Sequence, residues 1–125
     1  MIHNLDEWVD ELNSSAKSII VEGPNDKKAL EQLGIRNSIF ILSKKPVFFI
    51  AEKVAEKSSQ AVLLTDFDKK GKELYKKLKT ELQNHGVEID NKARHWLLKN
   101  TRISHIEGIL SYAKNNNYEI KKERH

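Results

Sequence analysis

Three carboxylates stand where two apolar runs end. Glu22 follows Ser18–Val21, and Asp66 and Asp68 follow Gln60–Leu64 in the stretch LLTDFDKKG. Residues two apart on an extended segment point to the same side, so Asp66 and Asp68 can aim at one place. Glu22 joins them if the two runs are neighbouring strands. Carboxylates at about 4 Å repel by roughly 4 kcal/mol per pair at an effective dielectric of about 20. Protonation of one member relieves that crowding, and so does a hard divalent cation. Oxygen ligands, with no cysteine in the chain and no histidine in either stretch, favour Mg²⁺ or Mn²⁺ over zinc. Mg²⁺ keeps several waters and commonly takes a substrate phosphate as a further ligand.

The neighbours of these acids fit phosphate chemistry. Gly23 leaves room for backbone at one strand exit, and Gly71 sits in the first turn of a helix where a side chain would crowd its N-terminus. Free N–H groups and the dipole draw anions to a helix start, and Lys69, Lys70 and Lys72 lie beside this one. Plainer readings stand next to these. Asp26 supports a first helical turn through the dipole. Lys69, Lys72, Lys76 and Lys79 line a solvated helix face, and Glu73 and Lys77 form an ordinary i,i+4 pair.

The elements that must position these residues read as alternating strands and helices. An amphipathic helix opens the chain with Leu5, Trp8, Val9 and Leu12 inward and Asn4 as its cap. Strands are predicted at Ser18–Val21, Ser38–Leu42 and Gln60–Leu64, with a fourth somewhere in Val87–Leu98, a stretch that includes His95 and Trp96. Helices are predicted over Asn25–Leu33, closed by Gly34; from Pro46, with Phe49, Ile50, Val54 and Ala55 inward; over Lys70–Asn84, with Leu74, Tyr75, Leu78 and Leu82 inward and His85-Gly86 as its stop; and over His105–Lys114. Near-continuous apolar strands between helices imply an α/β fold, a four-stranded, mostly parallel sheet flanked by helices on both faces, with an extra N-terminal helix. In such sheets, sites form beyond the carboxyl ends of the strands, where the acids sit.

The chain of 125 residues reads as one domain over 1–125, with a core over about 17–114, a helix within 1–15 and a frayed basic tail at 118–125. Its 22 Lys+Arg against 18 Asp+Glu permit a polyanionic partner without requiring one. The lack of cysteine excludes disulfides and thiolate metal sites, no apolar run reaches a membrane span, and MIHNLDEWVDELNSS lacks the apolar core of a signal peptide. The expected setting is cytoplasmic, with no membrane partner. Only 7% of residues are aromatic and most read as core, so no stacking platform for bases is visible.

IIVEGPNDKKALEQLG resembles the first motif of the Toprim domain, and AVLLTDFDKKGKEL resembles its second, a strand ending in Asp-x-Asp with a following glycine. That domain is shared by bacterial-type primases, type IA and type II topoisomerases, the 5S ribosomal RNA maturation nuclease, recombination proteins and overcoming-lysogenisation-defect nucleases. The resemblance implies that Glu22 is a general acid or base, or a metal ligand, and that Asp66 and Asp68 bind Mg²⁺. Gly23, Asp26 and Gly71 match positions that shape the site. The implied chemistry is the making or breaking of phosphodiester bonds on RNA or DNA. RISHIEGIL lies where other members place further acids, which makes His105 and Glu107 second-rank candidates; His105 as a helix cap and Glu107 as a complement to the helix N-terminus are the alternatives. No separate domain to carry a topoisomerase tyrosine and no zinc-binding primase module is visible. A nuclease- or primase-like enzyme, a non-catalytic nucleic-acid-binding module that acts with a protein partner, and a receiver-like phosphoacceptor domain are the readings to separate. A receiver would place its acidic pair after the first strand, where this chain has one glutamate before Gly-Pro.

Overall fold

The computed structural model describes residues 1–116 and 118. Four strands, β1 (Ser18–Val21), β2 (Ile39–Ile41), β3 (Gln60–Leu64) and β4 (Glu88–Ile89), form one sheet in the order β2-β1-β3-β4. Every pairing is parallel, and Val21 lies opposite Ile41 on one side and Leu64 on the other. The connections carry helices α1 (Leu5–Asn13), α2 (Pro24–Leu33), α3 (Val47–Lys57), α4 (Lys69–Asn84), α5 (Lys92–Asn100) and α6 (Ile109–Asn115), with a 3₁₀ turn at Ile106–Gly108 before α6. This is the α/β architecture that the resemblance implied, with the added N-terminal helix in place.

Central strands β1 and β3 are buried on both faces, which is why they read as unbroken apolar runs. Ile19, Val21, Val62 and Leu64 face a core closed by Trp8, Leu30, Leu97 and Ile109, from α1, α2, α5 and α6. Ile20 and Leu63 face the other side and pack with Ile50, Val54, Leu78 and Leu82, from α3 and α4. The Asn4 side chain accepts the Glu7 N–H (2.9 Å) and caps α1, while the Trp8 indole N–H donates to the Ala93 carbonyl (2.9 Å) and fastens α1 to α5. Pro24 opens α2 and Gly34, at φ +106, closes it.

Several expectations are corrected. The fourth strand occupies only Glu88–Ile89; the rest of its window is α5, with Ala93, Trp96 and Leu97 at helical spacing toward the core. His95 and Trp96 are therefore helical, with His95 exposed and Trp96 buried. On α3 the inward stripe is Ile50, Ala51 and Val54, and Phe49 is 41% exposed. The last predicted helix is broken into the 3₁₀ turn and α6, with His105 just outside. The expected frayed tail, beyond Tyr118, lies outside the described residues. Among the described residues no helix is long and apolar enough to cross a membrane.

Candidate functional site

The parallel pairing of β1 with β3 sets their carboxyl ends side by side. Glu22, the first residue past β1, reaches across, and its Oε2 accepts the Asp66 N–H at 2.8 Å. Asp66 is 9% exposed, and its Oδ1 accepts the Ile106 N–H at 2.8 Å. Asp68 is the N-cap of α4; its Oδ1 accepts the Gly71 N–H at 2.8 Å. Each carboxylate is thus aimed by a backbone N–H through one oxygen. Among the described residues the second oxygens of Glu22 and Asp66 have no hydrogen-bond partner, and that of Asp68 lies 3.5 Å from His105 Nε2.

One ligand atom each from Asp66, Asp68 and His105 lies within 4.8 Å of the others. The sequence ranked Glu22 as the third member of the group and His105 behind it; the fold brings His105 to the two aspartates and commits one Glu22 oxygen to the Asp66 backbone. His105 stands there because the Phe67 N–H donates to the Ser104 carbonyl (2.8 Å), drawing the segment before the 3₁₀ turn over the end of β3, and Ser104 Oγ meets His105 Nδ1 at 3.0 Å. Two carboxylate oxygens and an imidazole nitrogen, with Glu22 adjacent, suit a divalent cation of the Mg²⁺ or Mn²⁺ kind, the nitrogen shifting preference toward Mn²⁺.

Asp26 registers the crowding. Burial and the Asp66 charge raise its pKa, the Gly23 N–H opposes them, and Glu107 and Glu22 add to the rise. Its Oδ2 accepts the Gly23 N–H at 3.1 Å, so the plain helix-start role holds as well. Glu107 is exposed in the 3₁₀ turn.

The glycines differ. A Cβ on Gly71 would lie 2.0 Å from the Asp66 carbonyl oxygen, so α4 can approach the end of β3 only through a glycine. Gly23 shows no such need: its φ is −146, and a Cβ there would meet nothing nearer than Asp26 Oδ2 at 4.0 Å. Lys69, Lys70 and Lys72 are exposed on the first turn of α4. The Asp68 carboxylate takes the Gly71 N–H at that helix start.

Arg94 went unnoticed in the sequence. From α5 its Nη1 donates to the carbonyls of Thr65 (2.6 Å) and Leu63 (3.3 Å), and its Nη2 to that of Asp66 (3.2 Å). The guanidinium lies 4.7 Å from the Phe67 ring centre and 4.8 Å from that of Tyr75. Burial lowers its pKa, opposed by Tyr75, Asp66 and Glu22. Arg94 fixes the backbone from which Asp66 projects and brings positive charge beneath the acids. The one signal for it is an arginine beside a buried alanine on a helix, which many surface arginines share.

A family model described as Toprim domain matches residues 17–104. A UPF0292 protein of Methanocaldococcus jannaschii is 37% identical over 111 residues, covering 85% of this chain and 87% of its own. A UPF0292 protein of Thermococcus onnurineus is 40% identical over 89 residues, 71% of this chain and 66% of its own. Among solved structures, a putative protein from Aquifex aeolicus superimposes with a TM-score of 0.77 at 35% identity, over 85% of this chain and 98% of that one. The zinc-binding and RNA polymerase domains of the Aquifex aeolicus primase share the fold at a TM-score of 0.54 and 18% identity, over 86% of this chain and 27% of that one.

Proposed function

The chain belongs to the Toprim domain family, and from that premise we propose that it performs Mg²⁺- or Mn²⁺-dependent phosphodiester chemistry on nucleic acid, as a nuclease- or primase-like enzyme. The observation that carries the reading is the Glu22 carboxylate on the Asp66 N–H, which joins two acidic motifs 44 residues apart in sequence at one rim. Asp66 and Asp68, with His105 beside them, are the residues that would hold the cation; when bound, it would neutralise phosphate charge and polarise the reacting phosphorus. Glu22 keeps one oxygen for a proton and acts as general base or acid toward the attacking or leaving oxygen. Lys69, Lys70 and Lys72 hold flanking phosphates. Asp26 and Gly71 keep the two strand exits in register, and Arg94 holds the carbonyls behind Asp66. Family membership leaves the receiver-like reading without support.

The test is an activity screen of the chain on single-stranded, duplex and structured RNA and DNA with Mn²⁺ and Mg²⁺. Asp66→Asn and Asp68→Asn keep the acceptor oxygens that meet Ile106 and Gly71 but lose charge. Each is expected to cut turnover by roughly 100-fold or more with an unchanged circular dichroism spectrum. Wild-type turnover that persists in excess EDTA would overturn the reading. Binding without turnover by any nucleic acid would instead assign the chain as a binding module that acts with a protein partner.

A further inference from the structure

The start of α3 shows two aromatic rings to solvent. Phe48 is 55% exposed and Phe49 41%, on a helix whose other face is fully buried at Ala51 and Val54. Cations attend the Phe49 ring. The ammonium groups of Lys45 and Lys53 lie 5.8 and 5.5 Å from the centre of the Phe49 ring. Phe48 lines an open groove of about 430 Å³ between α3 and α4, shared with Lys76, Lys77, Thr80 and Glu81. Its ring meets that of His85 edge-on, 5.2 Å between centres.

This surface is joined to the acidic rim from two sides. The turn that leads into α3 donates its Leu42 N–H to the Val21 carbonyl (3.0 Å) and its Ser43 N–H to the Glu22 carbonyl (2.9 Å), so it is bonded to the strand exit that bears Glu22. On the other side α4 starts at Asp68, and Lys72 and Lys76 lie one turn apart on it. Lys76 is about 12 Å along the helix axis from Asp68, and His85, against which Phe48 packs, about 25 Å, so the surface runs from the rim along α4.

We infer that this surface is a landing site for single-stranded nucleic acid, with bases stacked on Phe48 and Phe49 and the backbone phosphates held by Lys45, Lys53, Lys76 and Lys77. Exposed rings interleaved with ammonium groups are what a strand with unpaired bases requires, since every base has a face to stack and every nucleotide a charge to neutralise. A duplex hides its bases from such rings. The lysines that now lie over Phe49 can turn outward to phosphates as a base takes their place. The turn, α3 and α4, over 44–57 and 69–84, carry ten lysines against four glutamates, Glu52, Glu56, Glu73 and Glu81, so positive charge prevails on these elements. The inference rests on the proposed function, because the surface would deliver a strand to the acidic rim.

The test is fluorescence anisotropy of the full chain with fluorescein-labelled oligo(U) and oligo(dT), without divalent metal and across a salt series. Phe48→Ala and Phe49→Ala are each expected to weaken binding about tenfold, and Phe49→Trp to preserve it. The alanine variants leave the salt slope unchanged, whereas Lys45→Ala and Lys53→Ala each reduce it by about 0.7. All are exposed residues, and thermal melts confirm the fold. A preference between the two oligonucleotides would distinguish RNA from DNA. Unchanged affinity in folded alanine variants would overturn the inference. So would loss of self-association in sedimentation with binding intact, which would give the surface to a second copy of the chain. Failure here is separable from failure of the proposed function: metal-dependent cleavage that survives Phe49→Ala with unaltered KM sinks the landing site alone, while aromatic-dependent binding with no cleavage under any metal sinks the chemistry alone.

Discussion

A carboxylate held by one oxygen and free at the other is oriented before any ligand arrives, and Glu22, Asp66 and Asp26 share that arrangement on backbone N–H groups. The cost is burial and mutual repulsion: burial first, and then the Asp66 charge, raise the Asp26 pKa. A carboxyl whose folded pKa lies above its unfolded value favours the fold at low pH, and that contribution is lost as pH rises through the folded pKa. Once ionised, Asp26 therefore supports the metal-free fold less than it does when protonated. Asp26→Asn keeps an acceptor for the Gly23 N–H and removes the charge. It is expected to raise the melting temperature in EDTA at neutral pH and to narrow its gap from wild type as the pH falls; a lower melting temperature than wild type in EDTA would refute this. The acids themselves were legible because strand exits in a parallel sheet have a known place. Arg94 was not, since its position between Phe67 and Tyr75 and on three carbonyls arises only when α5 folds across the end of β3. His105 was underrated for a similar reason: the Phe67–Ser104 hydrogen bond that brings it in joins segments with no pattern in common.

Elements with strong internal period were readable and those defined by partners were not. The predicted spans of β1 and β3 match the structure because both faces of each strand are buried, and α4 differs by one residue at its start. β4 has two residues at the sheet edge, too few for alternation to show, so the strand expected there ran on into α5. Apolar type alone places Phe49 inward, whereas the period of Ile50, Ala51 and Val54 sets the buried stripe one residue on. The β3–α4 junction tests how closely packed the site must be. Gly71→Ala would force a methyl into the Asp66 carbonyl, where only backbone can give way. It is expected to cost about 3 kcal/mol or more in urea denaturation, with weakened Mn²⁺ binding if the protein still folds. Gly23→Ala is the matched control; its conformation suits any residue, and a cost within about 1 kcal/mol is expected. Equal costs at the two glycines would show that α4 tolerates a side chain at its approach to β3.

At the scale of the molecule, one ion pair clamps the sheet at the ends opposite the acids. Lys17 precedes β1, Asp90 follows β4, and their side chains meet across β3 with exposures of only 16% and 14%. Asp90 also accepts the Lys92 N–H at 2.9 Å, and its own N–H donates to the Ala61 carbonyl at 2.9 Å. Burial alone would raise the Asp90 pKa, but the Lys17 hydrogen bond, the Lys92 N–H and the two ammonium charges outweigh it and hold the pKa below its ordinary value. The sign is opposite to that of Asp26. A depressed carboxyl pKa stabilises the fold above the unfolded value, and the contribution is lost as pH falls through the folded one. The clamp should thus be at full strength at neutral pH and fail only in acid, below about pH 4. Asp90→Asn is expected to lose roughly 2 kcal/mol at neutral pH, less than a fully buried pair would cost. Because the acids of the rim also titrate in that range, the decisive quantity is the difference in unfolding free energy between wild type and Asp90→Asn, followed by urea denaturation from neutral pH downward. It should shrink toward zero as Asp90 protonates. A difference that stays constant into acid would mean that packing around Asp90, and not the charge pair between the first and last strands, holds that end of the sheet together.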